Sequence, residues 1–144
     1  MVWNPFVQLS TVPAYLGWFG ICIALLLVFA VLYCLITPKN EMALIRRGST
    51  TTAVSLSGAL IGFSIMMAAV MLNAVNRTDL VLWTLCGLIV QLFAYFFAAI
   101  LLCGVRQVRA KMTRRFEDDD IASGIFVAGV SISVGIISAA VMAS

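Results

Sequence analysis

Histidine is missing altogether, and charge is scarce: nine basic and six acidic side chains in 144 residues. A soluble domain averages about 25% charged residues, against 10% here. With 63% hydrophobic residues, a water-soluble fold would have too little polar surface. The missing histidine removes the commonest general base and one half of a Cys/His zinc framework. Four cysteines are present, Cys22, Cys34, Cys86 and Cys103. None stands in a C-x-x-C spacing, so a redox or four-cysteine metal motif is excluded as well. Each falls inside or at the edge of an apolar stretch, where a thiol packs as a small hydrophobe. No nucleophile–base pair and no phosphate-cradling glycine loop can be assembled. The expectation is a protein that is not an enzyme, has no cofactor or metal, and does not bind nucleic acid.

What charge there is clusters. Positions 1–38, 48–76, 80–105 and 121–144 carry none. A helix needs about 20 apolar residues to cross a bilayer core of about 30 Å. Four stretches reach that length, near 15–36, 52–72, 80–104 and 121–143. Runs such as 23–30 and 61–72 are apolar on every side, unlike the alternating strands of a membrane barrel. The fold class is therefore an all-α membrane protein with four transmembrane helices. The N-terminus has no basic residue, and its apolar run is too long for a cleaved signal. Residues 1–12 read as a pre-helix segment with Trp3, Pro5 and Phe6 at the interface.

Orientation follows from the cations. The loop 37–51 carries Lys39, Arg46 and Arg47, and the loop 105–120 carries Arg106, Arg109, Lys111, Arg114 and Arg115. The loop 73–79 has only Arg77. Basic residues mark the cytoplasmic side, which sends both termini outward. Trp18 and Trp83 then sit near the outer ends of the first and third spans, where interfacial aromatics belong. Thr37-Pro38 reads as a cap and first position of a short amphipathic helix containing Glu41, Met42, Leu44 and Ile45. Gly48 ends it, and Ser49 caps the second span. Glu117-Asp118-Asp119-Asp120 precedes the fourth span, where carboxylates complement the positive helix end. The other reading of that cluster is a site for a divalent cation or a basic partner.

The chain also repeats itself. A shift of 71 residues lays 53–73 over 124–144 with 7 identities in 21 positions, including Ala68-Ala69-Val70-Met71 over Ala139-Ala140-Val141-Met142. Repeat one covers about 13–76 and repeat two about 79–144. Each is helix, basic loop, helix, so both copies point the same way and predict a pseudo-twofold bundle of two parallel-repeat hairpins. Gly58 and Gly62 form a GxxxG match, and Gly124, Gly129, Ser131 and Gly135 continue small-residue spacing in the fourth span. Such faces bring helix backbones close, within one copy or between copies of a homo-oligomer. Inside the spans lies no Asp, Glu, Lys or Arg. Ser57, Ser64 and Gln91 are the polar groups for a possible path; otherwise they bond between helices.

The segments Thr37-Pro38-Lys39-Asn40-Glu41, Leu44-Ile45-Arg46-Arg47-Gly48 and Ala53-Val54-Ser55-Leu56-Ser57-Gly58-Ala59-Leu60-Ile61-Gly62 carry a resemblance. So do Gly87-Leu88-Ile89-Val90-Gln91-Leu92 and Ile121-Ala122-Ser123-Gly124-Ile125-Phe126. Their order and spacing resemble the bacterial inner-membrane family of unknown function 350, the YjfL-like proteins, over about 37–142. The chain departs from the family pattern at Ser49, where an asparagine is usual, and at Met66 or Met67, where a proline is common. Ser138-Ala139-Ala140-Val141-Met142 departs from an Asn-Ala-Ala-Cys-Met-like run. The resemblance implies paired two-helix units in the inner membrane, with no settled activity and a link of some members to membrane-stress proteins of the phage-shock type. Two functions are carried forward. One is a non-enzymatic oligomeric scaffold whose Arg46, Arg47, Arg106, Arg109, Lys111, Arg114 and Arg115 hold anionic lipid or a cytoplasmic protein partner. The other is a small channel or transporter for an ion or small solute.

Overall fold

In the computed structural model, residues 5–37, 41–104 and 108–143 are described. Trp3, Pro38, Lys39 and Arg106, named above, lie outside them. The described residues form six helices: α1 (Pro5–Ile36), α2 (Glu41–Arg46), α3 (Thr50–Asn73), α4 (Arg77–Cys103), α5 (Val108–Glu117) and α6 (Ile121–Ala143). Four of them, α1, α3, α4 and α6, are long and apolar enough to cross a membrane. The two short helices, α2 and α5, lie within the basic loops.

Local chemistry sets most of the boundaries. Gly48 takes a φ of +89°, a left-handed conformation that glycine adopts without steric cost, and this closes α2. Ser49 then accepts from the Thr52 amide and caps α3. Asn76 does the same for α4 through the Asp79 amide at 2.8 Å. Two expectations are corrected here. First, α1 does not wait for residue 13 but runs back through Pro13 to Pro5; a proline at the first helical position needs no N–H partner. Second, Thr37 closes α1: its hydroxyl and its amide both donate to the Tyr33 carbonyl, at 2.8 and 3.0 Å, while Pro38, the expected first residue of α2, lies outside the described residues.

The closest pair is α3 with α6. Thr51 lies against Gly124, Gly58 against Ala128, and Gly62 against both Ser131 and Gly135. These contacts advance together along both helices, so the two run parallel. A Cβ on Gly124 would stand 2.6 Å from the Thr51 carbonyl oxygen, so no side chain fits at that crossing. Close backbone approach through small residues is what associates helices in lipid, where apolar burial supplies no driving force. On the other flank α1 packs through aromatics on both α3 and α4. Phe29 stacks on Phe63 with centroids 4.3 Å apart, and Tyr33 meets Tyr95 edge-on at 5.5 Å. The Tyr33 hydroxyl shares a hydrogen bond with Ser55 Oγ at 3.2 Å, since a buried phenol must find a partner. The outer surface stays apolar, with Leu35, Leu72, Phe93 and Ile125 exposed, as a lipid-facing surface must be.

Candidate functional site at the basic end of the bundle

The basic loops fold into a vestibule of about 890 Å³, lined by Cys34, Thr37, Arg47, Ser49, Arg109 and Asp119 among others. Its floor adjoins a void of about 10 Å³ bounded by Thr37, Glu41, Leu44, Tyr95, Met112, Thr113 and Phe116. Glu41 is the unusual member. It is 1% exposed, on a helix whose Met42, Ala43 and Arg46 are at the surface. Its Oε2 accepts a long contact from Cys34 Sγ at 3.9 Å, while Oε1 has no hydrogen-bond partner among the described residues. Burial pushes its carboxyl up to about 7, with hydrogen bonding from Thr37 and Cys34 pulling weakly the other way. A buried carboxylate without a counter-charge loses hydration that nothing replaces, so the proton stays on to higher pH. Sequence reasoning places Glu41 only in an amphipathic turn. The signal that could have found it is spacing. Glu41, Leu44 and Ile45 stand at i, i+3 and i+4, on one helix face, so the carboxylate shares the inward side.

The acidic cluster divides between two helices, which corrects its assignment to the fourth span alone. Asp120 stands just before α6 and serves that helix. Its Oδ2 accepts from Ser123 Oγ at 2.6 Å and pairs with Arg115 at 2.8 Å. Asp119, held at a φ of +51°, reaches across to α3. Its Oδ1 accepts from the Thr51 amide at 2.9 Å and from Ser49 Oγ at 3.0 Å. These bonds hold the Asp119 carboxyl below the usual carboxylate range, the Thr51 amide contributing most. Asp119 thus caps a helix 68 residues away in sequence and locks the second basic loop to the start of α3. Such a lowered group supports the fold when ionised, and the support is lost as pH falls through its folded value. Asp119→Asn is therefore expected to lower the thermal midpoint at pH 7 and to narrow its difference from wild type at pH 3. A circular-dichroism melt in detergent at both pH values measures this.

The small residues of the spans are placed as follows. Gly58, Gly62, Gly124, Ser131 and Gly135 meet at the α3–α6 crossing. Gly129 faces away, and a Cβ added there would meet nothing within 4 Å. Ser57, Ser64 and Gln91 do not converge. Ser57 is exposed. Ser64 donates to its own helix at Leu60 O, 2.8 Å away. Gln91 is buried and donates from Nε2 to the Ser131 carbonyl at 2.9 Å, tying α4 to α6. Among the cations, Arg46, Arg47, Arg109, Lys111, Arg114 and Arg115 are all exposed at the vestibule end. At the opposite end Arg77 stands 5.9 Å over the Trp18 ring and links the start of α4 to α1.

The family model described as Domain of Unknown Function (DUF350) matches residues 6–142. The chain belongs to the DUF350 family. Curated relatives of this DUF350 chain include the UPF0719 inner membrane protein YjfL of Escherichia coli strain K12. That protein is 29% identical over 134 residues, covering 93% of this chain and 96% of the relative. The same-named protein of Escherichia coli O157:H7 matches to the same extent. No solved structure matches. This DUF350 chain is accordingly a multi-pass inner-membrane protein of a family without an assigned activity.

Proposed function

We propose that this protein is a non-enzymatic, oligomeric scaffold of the bacterial inner membrane, with both termini periplasmic and its basic loops gripping anionic lipid headgroups at the cytoplasmic surface. The observation that carries this reading is the pairing of a closed seam with a basic platform. At Gly62, Ser131 and Gly135 the α3 and α6 backbones are in contact, and Gln91 bridges beside them. At one end of that seam, α2, α5 and Arg47 beside them present six exposed cations. Each Lys or Arg near an anionic bilayer surface contributes about 1 kcal/mol. The excess of cations in these two loops is also what fixes orientation.

Lipid retention tests it. The protein is reconstituted in nanodiscs of mixed zwitterionic and anionic phospholipid, then released and weighed by native mass spectrometry. Wild type is expected to keep anionic lipid, less so as salt rises, because surface charge is screened over about 8–10 Å at physiological salt. Replacing Arg109, Lys111 and Arg114 by glutamine should remove about 3 kcal/mol of that attraction. Unchanged retention in the triple variant would sink the lipid reading and favour a cytoplasmic protein on the same platform. The second reading, a small channel or transporter, draws on the vestibule and on Glu41, buried at the small void beside it. Solute flux through proteoliposomes that Glu41→Gln abolishes would replace the scaffold with it.

A further inference from the structure

The internal repeat and the α3–α6 contact together define a second contact that one copy cannot make alone. The register of 71 residues runs through the element boundaries. The end of α2 at Arg46 and the start of α3 at Thr50 are matched by the end of α5 at Glu117 and the start of α6 at Ile121. In that register Gly58 corresponds to Gly129, and Ala128 corresponds to Ser57. Yet inside the molecule Gly58 packs on Ala128, while Gly129 meets nothing and Ser57 is exposed.

The same holds along the seam. The α3 side of the contact is Thr51, Gly58 and Gly62; the α6 side is Gly124, Ala128, Ser131 and Gly135. Carried forward 71 residues, the α3 side becomes Ala122, Gly129 and Ser133, all exposed on α6. Carried back, the α6 side becomes Ala53, Ser57, Leu60 and Ser64, of which Ser57 is exposed and the others are half-buried. At about 100° per residue, these positions lie on roughly the opposite sides of their helices. The two hairpins are therefore not joined by equivalent faces, as a twofold axis would require. One hairpin offers one face and the other a different face; the second face is exposed on α6 and only partly covered on α3.

We propose that copies of this chain associate head to tail, the second α6 face of one copy packing on the second α3 face of the next, in a repetition of the internal α3–α6 contact. This inference rests on the oligomeric part of the reading above. The occupant is indicated by the molecule itself, because the sister face of each open surface is already packed inside the copy, on the sister of the other. The interface is thus continuous with the one that joins the hairpins. Orientation also agrees. Copies in one membrane share a direction, and the internal contact is parallel. A contact between unlike faces propagates from copy to copy and forms a ring if the rotation closes. The register sets the partners: Gly129 meets Ser57 of the next copy, Ala122 meets Ala53, and Ser133 meets Ser64. Leu60 stands where Ser131 does and makes the new contact bulkier at that point.

Cysteine cross-linking in the membrane separates the outcomes. Ser57→Cys and Gly129→Cys are made in differently tagged full-length chains, oxidised singly and after co-expression, with the wild type and its four cysteines as control. Neither position is packed, so both variants retain the fold. Co-expression is expected to give a mixed-tag disulfide that neither variant gives alone. A disulfide needs Cβ atoms about 3.5–4.5 Å apart, so Ile61→Cys with Gly129→Cys, out of register, is expected to give none. Links between like residues, 57 to 57 or 129 to 129, would overturn the head-to-tail arrangement in favour of a symmetric dimer. If no link forms, the mass in nanodiscs distinguishes two failures. An oligomeric mass overturns the proposed faces alone, whereas a monomeric mass overturns the oligomeric reading with them.

Discussion

Gly62→Ala is expected to lower stability by about 1–3 kcal/mol, the usual effect of forcing an extra carbon into a packed contact. The added Cβ would lie 2.7 Å from Gln91 Nε2 and 2.8 Å from the Ser131 carbonyl carbon. Part of that obstruction is backbone, which cannot rotate aside. The displaced Gln91 would also lose its bond to the Ser131 carbonyl, and an inter-helix hydrogen bond in a membrane protein contributes about 0.6–2 kcal/mol. Alanine favours helix over glycine by about 1 kcal/mol, so the net sign rests on the clash. Gly129→Ala isolates that term. With open space at Gly129, the propensity gain is unopposed, and stability should be unchanged or rise by up to about 1 kcal/mol. Both are read from unfolding of the monomer in mixed detergent micelles. Equal effects at the two glycines would mean that the α3–α6 seam is not packed as described.

The second large effect belongs to Glu41. Its carboxyl rises from an ordinary value near 4.5 to about 7 in the folded protein. The folded state therefore holds a proton that the unfolded chain has already released between those values. Stability is full below about pH 4.5 and declines as pH rises through about 7, because ionising the buried group opposes the fold. At about 1.4 kcal/mol for each pKa unit, the decline is on the order of 3 kcal/mol. Glu41→Gln removes the titration and should flatten the stability profile between pH 4.5 and 7. The titratable groups around it are Tyr33 and Cys34 on α1 and Tyr95 on α4, and the variant leaves them in place. A variant that keeps the full wild-type slope would assign the effect to another group. The same substitution tests whether the void beside the vestibule matters to function, since glutamine keeps the shape and drops the charge.

Much of this architecture follows from residue order alone. The absence of charge over four long runs leaves those segments no stable place except a bilayer. The run 121–143 is legible to the residue because Asp120 and the charge-free stretch mark its start. Gly48 and Ser49 announce the break between α2 and α3, since only certain residues stop or cap a helix cheaply. The family is also legible, because its short motifs keep their order and spacing over most of the chain. The start of α1 is not, since Pro5 and Pro13 read locally as a non-helical segment while the helix tolerates both.

Residue order determined how many helices are long and apolar enough to cross and which loops are basic. It could do so because hydropathy, caps and charge act over a few neighbours. Only the tertiary structure decided which faces meet. Small residues lie on opposite sides of both α3 and α6, so composition cannot say that Gly58 is buried and Gly129 open. It likewise decided that Asp119 caps α3 instead of its own helix and that Glu41 is buried beneath α5. Those facts depend on groups far apart in sequence meeting in space, and nothing in a local pattern specifies such a meeting.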